Sequence, residues 1–257
     1  MYHRGTLIPE LVSIVTPAFN AERFIAQTLT SVIQQTYPAW ELLVADDCSR
    51  DGTRALVERH AAGEPRVKPI LLSRNSGPAA ARQAAIDAAQ GRYIAFLDSD
   101  DLWLPDKLER QLEFMKSRDA ALSFTAYRRI SADGAKVGRL IAVPECLSYR
   151  QLLGNTAIAT STAIVDRGKS GPLRMTRTYY DDFVLWLDIT RRGFDACGLN
   201  EDLMRYRVVG GSVSRNKSRS ARMVWRTYRG VEKLGLLHAS WCFARYALNA
   251  ARKYRSF

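Results

Sequence analysis

Three carboxylates follow one apolar run within four positions. Residues 93–97 (YIAFL) are all apolar or aromatic, which is typical of a strand that is covered on both faces. Asp98, Asp100 and Asp101 come directly afterwards. Like charges at this spacing repel one another, and Mg²⁺ or Mn²⁺ would relieve the repulsion because these hard cations prefer carboxylate oxygens and bridge them to phosphates. The pattern predicts a metal and phosphate site, and an ordinary polar turn is the alternative.

Two other predicted strands also end in polar residues. Residues 40–45 (WELLVA) lead into Asp46 and Asp47, and residues 11–16 (LVSIVT) lead into the segment 17–20 (PAFN). The two carboxylates could bind a ligand or could belong to a turn that caps the next helix. Because open α/β sheets bind ligands at the carboxyl ends of their strands, we expect these strand ends to share one site.

The order of the predicted elements places these strand ends on one edge of a sheet. The segment 11–101 alternates four strands with three helices, which indicates a parallel sheet with helices on both faces. No G-x-G-x-x-G follows the first strand and no Walker lysine motif is present, so dinucleotide and P-loop folds are disfavoured. The predicted strands are 11–16 (ended by Pro17), 40–45, 67–73 and 93–97, and the helices are 21–35, 53–62, 79–89 and then 107–116.

The second half of the chain has a different pattern. It predicts shorter strands, one apolar-rich helix that begins at Asp181 and Asp182, and two basic helices at the end. The predicted strands are 121–130, 136–143, 158–165, 194–199 and 203–208, and the helices are 181–191, 223–237 and 239–255.

The positive charge of the chain is concentrated at one end. The net charge is +12, and the segment 205–257 holds thirteen Lys or Arg residues but only one acidic residue, Glu232. The remaining residues carry equal numbers of both signs. A basic tail of this kind needs an anionic partner, and the candidates are nucleic acid, a diphosphate ligand and an anionic membrane.

Composition and segment lengths limit the class of protein. With 257 residues and 47% hydrophobic residues, the chain can bury the core of one large domain. It contains no apolar run near the ~18 residues of a membrane span and no secretion-signal pattern at its start, so we expect a cytosolic chain. The four cysteines form no C-x-x-C pair and are predicted to be reduced thiols that serve as small apolar side chains.

Several motifs together resemble a known family. The stretches VSIVTPAFNAERFI, ELLVADDCSRDGT and NSGPAAARQAAIDAAQGRYIAFLDSDDLWLPDKL, between Val12 and Lys107, look like the family 2 glycosyltransferases of the GT-A fold. The likeness continues more weakly through Asp181 and Asp182 to RYRVVGGSVSRNK. The whole chain is similar to the teichuronic-acid and O-antigen type enzymes of bacterial surface polysaccharide synthesis.

The resemblance implies a fold and a division of the chain. A GT-A fold has a mixed, mostly parallel central sheet with helices on both faces, here followed by C-terminal helices. Residues 1–214 would form the catalytic domain, with a nucleotide-sugar-binding half at 11–107 and an acceptor-binding half at 108–214. Residues 215–257 would form a basic amphipathic helical tail.

The resemblance also implies where a nucleotide-sugar, a UDP-sugar above all, would bind. Arg82 matches a family arginine near the nucleotide, although a solvated helix face is an equal reading of that residue. Asp98-Ser99-Asp100 matches the D-x-D motif, in which Asp98 would contact the ribose or donor sugar and Asp100 would bind Mn²⁺ or Mg²⁺. Asp101 could share in this site or could instead cap the following helix. The other implied donor residues are Thr16, Pro17, Phe19 and Asn20 in the first turn, Asp47 at the uracil ring and Asp46 beside it.

For catalysis, the resemblance implies that Asp182 is the base. It matches the second residue of a paired acidic motif, in which Asp181 replaces the commoner Glu. The alternative is that both carboxylates only favour a helix N-terminus. With Asp182 as base, the sugar would pass with inversion to a glycan on polyprenyl diphosphate. Arg215 and Lys217 could close over the donor diphosphate.

The tail admits three readings. Its aromatic and leucine residues interleave with basic ones, which is typical of contact with an anionic membrane, and the enzyme would then work at the inner face of the cell membrane. Equally, the two helices could pack on the catalytic domain with a solvated basic face. A non-enzymatic nucleic-acid or nucleotide binder is the alternative function, although no nucleic-acid module is recognisable and no nucleic-acid partner is expected.

Overall fold

The computed structural model describes residues 7–178, 180–209 and 217–254. The first part alternates strands and helices in the predicted order. Its elements are β1 (Ile8–Ala18), α1 (Ile25–Ile33), β2 (Trp40–Asp46), α2 (Thr53–Gly63), β3 (Val67–Leu71), α3 (Pro78–Ala88), β4 (Gly91–Phe96), β5 (Leu102–Trp103) and α4 (Lys107–Ser117).

The second part adds shorter strands and the C-terminal helices. Its elements are β6 (Leu122–Ser131), β7 (Val137–Ile141), β8 (Cys146–Leu147), α5 (Tyr149–Leu153), a 3₁₀ turn (Thr160–Thr162), β9 (Ile164–Asp166), α6 (Arg167–Ser170), α7 (Asp181–Arg191), β10 (Ala196–Val208), α8 (Lys217–Arg226), a π-helical turn (Thr227–Val231) and α9 (Leu236–Tyr254).

All strands of the described residues join one mixed sheet. The order is β3-β2-β1-β4-β9-β6-β10-β5, with β7 beside β6 and β8 beside β10. The pairs among β1, β2, β3 and β4 are parallel, as is β6 with β10, whereas β9 runs antiparallel to both of its neighbours. The strand order reverses between β1 and β4, and such a switch point opens a crevice at the carboxyl ends of the strands. The predicted fold class is therefore confirmed.

Helices cover both faces of the sheet. On one face, apolar side chains of α1 and α4 such as Leu29 and Leu108 form one core cluster with β1 and β2. On the other face, α3, α5 and α7 join the tail in a second cluster, in which Trp186 packs edge-on against Phe96 of β4 with ring centroids 5.2 Å apart. This stacking fixes α7, which begins at Asp181, against the strand that leads to Asp98.

Three predicted strand boundaries are wrong. β1 passes through Pro17 because its pairing with β4 ends at Val15, so the missing N–H faces no partner strand. The predicted strand 158–165 is interrupted by the 3₁₀ turn, whose hydroxyl-bearing residues form local bonds instead of a ladder. The predicted strands 194–199 and 203–208 form the single strand β10, which continues through two register shifts around Asp202.

The tail packs on the body through one face. Val224, Tyr228, Ala239, Cys242 and Tyr246 are buried in the same cluster as α7. The Tyr228 hydroxyl donates to the carbonyl of Leu153. No described helix combines the length and the apolar character that crossing a membrane requires.

The prediction that all four cysteines act as small apolar side chains is wrong for Cys146. All four are free thiols, but only Cys242 is buried. Cys146 is exposed because it lies on the two-residue strand β8 at the rim of the sheet, where it pairs in register with Cys197.

Candidate active site

A cavity of about 570 Å³ opens at the switch point between β1 and β4. Its walls come from the polar ends of three strands and from the start of α3. The predicted residues that line it are Pro17, Phe19, Asn20, Asp47, Arg82, Asp98, Ser99 and Asp100, joined by Asn75, Gly77 and Val209. Thr16, Asp46 and Asp182 do not line it. The sequence prediction that the polar strand ends meet at one edge is confirmed.

Hydrogen bonds join the first two strand ends. The backbone N–H of Asn20 donates to Ser49 Oγ at 2.9 Å, and Asn20 Oδ1 accepts from the N–H of Arg50 at 2.9 Å. Asn20 has a φ of 49°, which an asparagine tolerates better than most residues. Phe19 beside it is 48% exposed, so its ring is available to a flat ligand.

Of the acidic pair at the end of β2, Asp47 lines the cavity and Asp46 does not. Asp47 accepts the N–H groups of Ser76 and Gly77, each at 2.7 Å, and so fixes the turn before α3. Neither Asp46 nor Asp47 caps α2, so the capping alternative is wrong. A carboxylate offers about four lone-pair sites, and two of those on Asp47 are not used by these N–H groups. Asp46 Oδ1 is buried without a hydrogen-bond partner among the described residues.

Arg82 joins the two halves of the site. Its guanidinium binds Asp98 Oδ1 at 2.6 Å and Asp181 Oδ2 at 2.7 Å, and the residue is only 7% exposed, so the reading as a solvated helix face is wrong. Burial would lower the pKa of Arg82, but the charges of Asp98, Asp181 and Asp182 outweigh burial and raise the pKa. The fixed positive charge thus holds the D-x-D loop next to the start of α7.

The D-x-D loop leaves one carboxylate without an ion pair. Asp98 is bound to Arg82, whereas no ion pair is found for Asp100 within the described ranges. Burial and the charge of Asp98 raise the pKa of Asp100 to about 6. Thr28 Oγ1 donates to the carbonyls of Ser99 and Asp101 and so ties the loop to α1.

The alternative in which Asp101 caps the next helix is wrong. The residue before α4 is Asp106. Asp101 is 1% exposed and accepts from Ser161 Oγ at 2.5 Å and from the N–H of Arg207 at 2.8 Å. Both of its oxygens are directed to protein groups on two other elements, so its carboxylate anchors the loop from below.

The site suits a metal that arrives with its phosphate ligand. Among the residues that the structure describes, no three His, Cys, Asp or Glu side chains are grouped to hold an ion alone. Mg²⁺ binds in many enzymes through one or two carboxylates together with substrate phosphates. Asp100 fits that role because it faces the cavity, lacks an ion pair and carries a raised pKa that a cation would lower.

The predicted base lies at the start of α7. Asp182 Oδ2 accepts from Thr160 Oγ1 at 2.5 Å, and Oδ1 accepts the N–H of Phe183 at 2.7 Å. Burial and the neighbouring charge of Asp181 raise the pKa of Asp182, while Arg82 acts in the opposite direction. A carboxylate with a raised pKa is a better proton acceptor than an ordinary aspartate.

Sequence reasoning missed three residues that hold the site together. Thr160 and Ser161 lie in the segment that was predicted as a strand, and their position beside two aspartates depends on a turn that no residue pattern announced. Arg207 donates to the carbonyl of Asp100 at 2.8 Å and lies over the ring of Phe24 at 4.9 Å. The sequence did contain one indication of Arg207, because a charged residue is unusual inside a segment such as 203–208 that is predicted to be a strand. Arg215 and the side chain of Lys217, predicted to close over the diphosphate, lie outside the described residues.

Solved structures share this architecture. TarS of S. aureus in complex with UDP-GlcNAc has a TM-score of 0.70 at 19% identity, with 92% of this chain and 71% of that chain covered. The mannosyltransferase PcManGT from Pyrobaculum calidifontis, in complex with GDP-Man and Mn²⁺, has a TM-score of 0.68 at 20% identity over 98% and 77%. At this level of identity, the likeness establishes the GT-A fold.

Curated relatives are much more similar in sequence. A putative teichuronic acid biosynthesis glycosyltransferase, TuaG, of Bacillus subtilis is 45% identical over 95% of this chain and 97% of its own length. The Escherichia coli protein WfgD, a UDP-Glc:alpha-D-GlcNAc-diphosphoundecaprenol beta-1,3-glucosyltransferase, is 36% identical over 84% of each chain. Nothing in these comparisons supports the nucleic-acid-binding alternative.

The family described as "Glycosyl transferase family 2" matches residues 13–184. This range runs from β1 to the start of α7, so it includes the ends of β1, β2 and β4 at the cavity as well as Asp181 and Asp182. The chain belongs to glycosyl transferase family 2 and is a glycosyltransferase.

Proposed function

We propose that the protein transfers a hexosyl or hexuronosyl group from a UDP-sugar, with inversion, to a glycan carried on polyprenyl diphosphate. The observation that carries the proposal is the Arg82 bridge, which holds the D-x-D loop of the donor cavity against the helix that starts with Asp181 and Asp182. The substrate classes follow from the name of WfgD, which states UDP-Glc as donor and a diphosphoundecaprenol acceptor. The name of TuaG states teichuronic acid biosynthesis, and we propose that this transfer likewise builds a surface polysaccharide.

The cavity provides for each part of the donor. Asp47 has lone pairs to accept a ring N–H of uracil, and the exposed ring of Phe19 offers a flat surface to the base. Asp98 and Ser99 line the same cavity, and Asp98 would contact the ribose or the donor sugar. Asp100 would hold Mn²⁺ or Mg²⁺, and the bound cation supplies Lewis-acid stabilisation of the negative charge on the leaving diphosphate.

The chemical step needs a base on the acceptor side. Asp182 takes the proton from the acceptor hydroxyl as the oxygen attacks the anomeric carbon, and the UDP group leaves from the opposite face. One displacement inverts the configuration, so an α-linked donor gives a β-linkage. Asp181 serves instead as the partner of Arg82, whose guanidinium it binds at 2.7 Å.

Removal of the metal should abolish turnover. We expect UDP release from UDP-glucose, or from another member of a UDP-sugar panel, to fall at least 100-fold in EDTA and to return when Mn²⁺ is added in excess. UDP release is measured by a coupled assay, with a GDP-sugar panel as the control for base recognition. Turnover that persists at full rate in EDTA would refute the metal-dependent mechanism.

The tail presents a second apolar surface, which fits an anionic membrane. Leu237, Trp241 and Leu248 are 89%, 65% and 62% exposed, and their spacing places them on the face of α9 opposite the buried Cys242 and Tyr246. We call these three residues the exposed stripe. When a helix is apolar on two faces and only one packs on the protein, the second face is typical of a surface that binds a protein or a membrane.

The positive charge of the tail favours an anionic membrane as the partner of the exposed stripe. The basic side chains of Arg226, Arg229 and Arg245 are exposed close to the exposed stripe in sequence. Glu232, the single acidic residue of the segment 205–257, forms an ion pair with Arg191 at 2.9 Å and accepts a hydrogen bond from the Tyr149 hydroxyl at 2.6 Å. An apolar stripe among unopposed positive charges is the pattern of an interfacial helix on anionic lipid.

Loss of the stripe should release the protein from vesicles. For Leu237→Ser/Trp241→Ser we expect binding to phosphatidylglycerol-containing vesicles to weaken on the order of 100-fold, because two large apolar side chains no longer leave water. Flotation of the full chain measures this, with Leu71→Ser/Val137→Ser, two exposed apolar residues elsewhere, as the matched control. Equal flotation of the two double variants, or a stripe that instead mediates dimerisation in size-exclusion runs, would contradict the membrane proposal.

A further inference from the structure

The 3₁₀ turn Thr160–Thr162 touches both halves of the site with consecutive side chains. Thr160 Oγ1 donates to Asp182 Oδ2 at 2.5 Å. Ser161 Oγ donates to Asp101 Oδ2 at 2.5 Å and accepts the N–H of Asp98 at 3.0 Å. A single short turn therefore contacts the predicted base on one side and the D-x-D loop on the other.

The turn is fixed by the core around it. Ser161 and Thr162 are 1% and 0% exposed. The carbonyl of Ser161 accepts Trp103 Nε1 at 2.8 Å, and the carbonyl of Thr162 accepts Gln111 Nε2 at 3.0 Å. These bonds tie the turn to β5 and α4, so the hydroxyl of Thr160 is presented from a rigid support rather than from a loose loop.

We propose that Thr160 is a positioning residue, which orients the Asp182 carboxylate for proton transfer. The proposal rests on the proposed role of Asp182 as base. With Oδ1 held by the N–H of Phe183 and Oδ2 by Thr160, the carboxylate plane has one orientation. The lone pairs that remain on both oxygens are then aimed in fixed directions at an incoming hydroxyl.

The charges around Asp182 and its hydrogen bond from the Thr160 hydroxyl both affect the pKa of Asp182. Asp181 on the same helix disfavours the charged form, whereas Arg82 from α3 favours it and is itself shared with Asp98 of the D-x-D loop. Burial raises the pKa of Asp182 most, and the Thr160 hydrogen bond lowers it. Loss of that bond must therefore raise the pKa further, and the base is then protonated at a higher pH.

The test is the pH dependence of kcat for UDP release by the full chain with Mn²⁺. For Thr160→Val, we expect the acidic limb of the profile to move up by about one pH unit and kcat at neutral pH to fall about tenfold, with little change in the KM of the donor, because Thr160 does not line the donor cavity. Thr160→Ser keeps the hydroxyl and should restore the wild-type limb. Thr162→Val is the matched control, because its hydroxyl bonds only the carbonyl of Ala159 in the same turn.

Each outcome of this experiment either supports or overturns the positioning role of Thr160. A wild-type acidic limb in Thr160→Val, or the same shift in Thr162→Val, overturns the positioning role. If Thr160→Val has no measurable turnover, its UDP affinity decides: wild-type affinity supports the proposal, and lost affinity shows a merely structural role. An Asp182→Asn enzyme that keeps more than one tenth of the wild-type kcat instead refutes the proposed role of Asp182 as base, whatever Thr160 does.

Discussion

Asp182→Asn should lower kcat about 1,000-fold and leave the Kd for UDP within about twofold of the wild type. A positioned general base contributes typically 10²- to 10⁴-fold, and an amide cannot take up the proton of the acceptor hydroxyl. The affinity for UDP should survive because Asp182 does not line the donor cavity. Single-turnover measurements of UDP release, combined with calorimetry of UDP binding, separate the two quantities.

Asp188→Asn provides the matched control on the same helix. Asp188 is an aspartate of α7 that bonds Arg191 and Arg192 at the partly exposed end of the helix, so its substitution should leave kcat unchanged. In the wild type, kcat should also decline as the pH falls through the raised pKa of Asp182, because protonation removes the base. An Asp182→Asn enzyme that keeps more than one tenth of the wild-type kcat would contradict the assignment.

Arg82→Leu should destabilise the fold by about 3–5 kcal/mol. Removal of one partner of a buried ion pair leaves the other charge uncompensated, and here Asp181, which is 5% exposed, and the half-buried Asp98 both lose their counter-charge. For a protein of this size, the change corresponds to a fall in Tm of roughly 10 °C. Urea unfolding followed by circular dichroism measures the free energy of unfolding directly.

Two further variants separate charge from packing at this position. Arg110→Leu removes an arginine whose partners Glu113 and Glu201 are exposed, and it should cost at most about 1 kcal/mol. Adding Asp181→Asn to Arg82→Leu should recover part of the lost stability, because one stranded charge disappears. If the Arg82 and Arg110 variants unfold at the same urea concentration, the buried bridge does not hold the two halves together.

The sequence was most informative where chemistry and strand ends coincide. Asp46, Asp47, Asp98 and Asp100 follow apolar runs, and the parallel topology brings the ends of such runs to one edge. Those two facts were enough to predict a cavity that Asp47, Asp98 and Asp100 line, whereas Asp46 does not line it. The likeness to family 2 glycosyltransferases added Asp182, which lies too far along the chain for any local pattern to join it to the others.

Side-chain contacts between elements that lie far apart in the chain could not be predicted from the sequence. Arg82 and Asp181 are in contact although they lie 99 positions apart in the sequence. The contact between Thr160 and Asp182 depends on a 3₁₀ turn inside a segment that was predicted to be a strand. Asp101 looked like a helix cap because it precedes an amphipathic helix, yet tertiary partners claim both of its oxygens. A buried carboxylate follows its tertiary hydrogen-bond partners and not its local preference for a helix cap, because the burial of a charged group without partners costs too much free energy.

The most direct test of the account is calorimetry of UDP binding with and without Mn²⁺, for the wild type and for Asp100→Asn. If the cation is held between Asp100 and the diphosphate, Mn²⁺ should tighten UDP binding by the wild type at least tenfold and leave Asp100→Asn unaffected. Asp106→Asn, on the exposed residue just before α4, should behave as the wild type. An undiminished Mn²⁺ effect in Asp100→Asn would contradict the central claim that this carboxylate holds the metal.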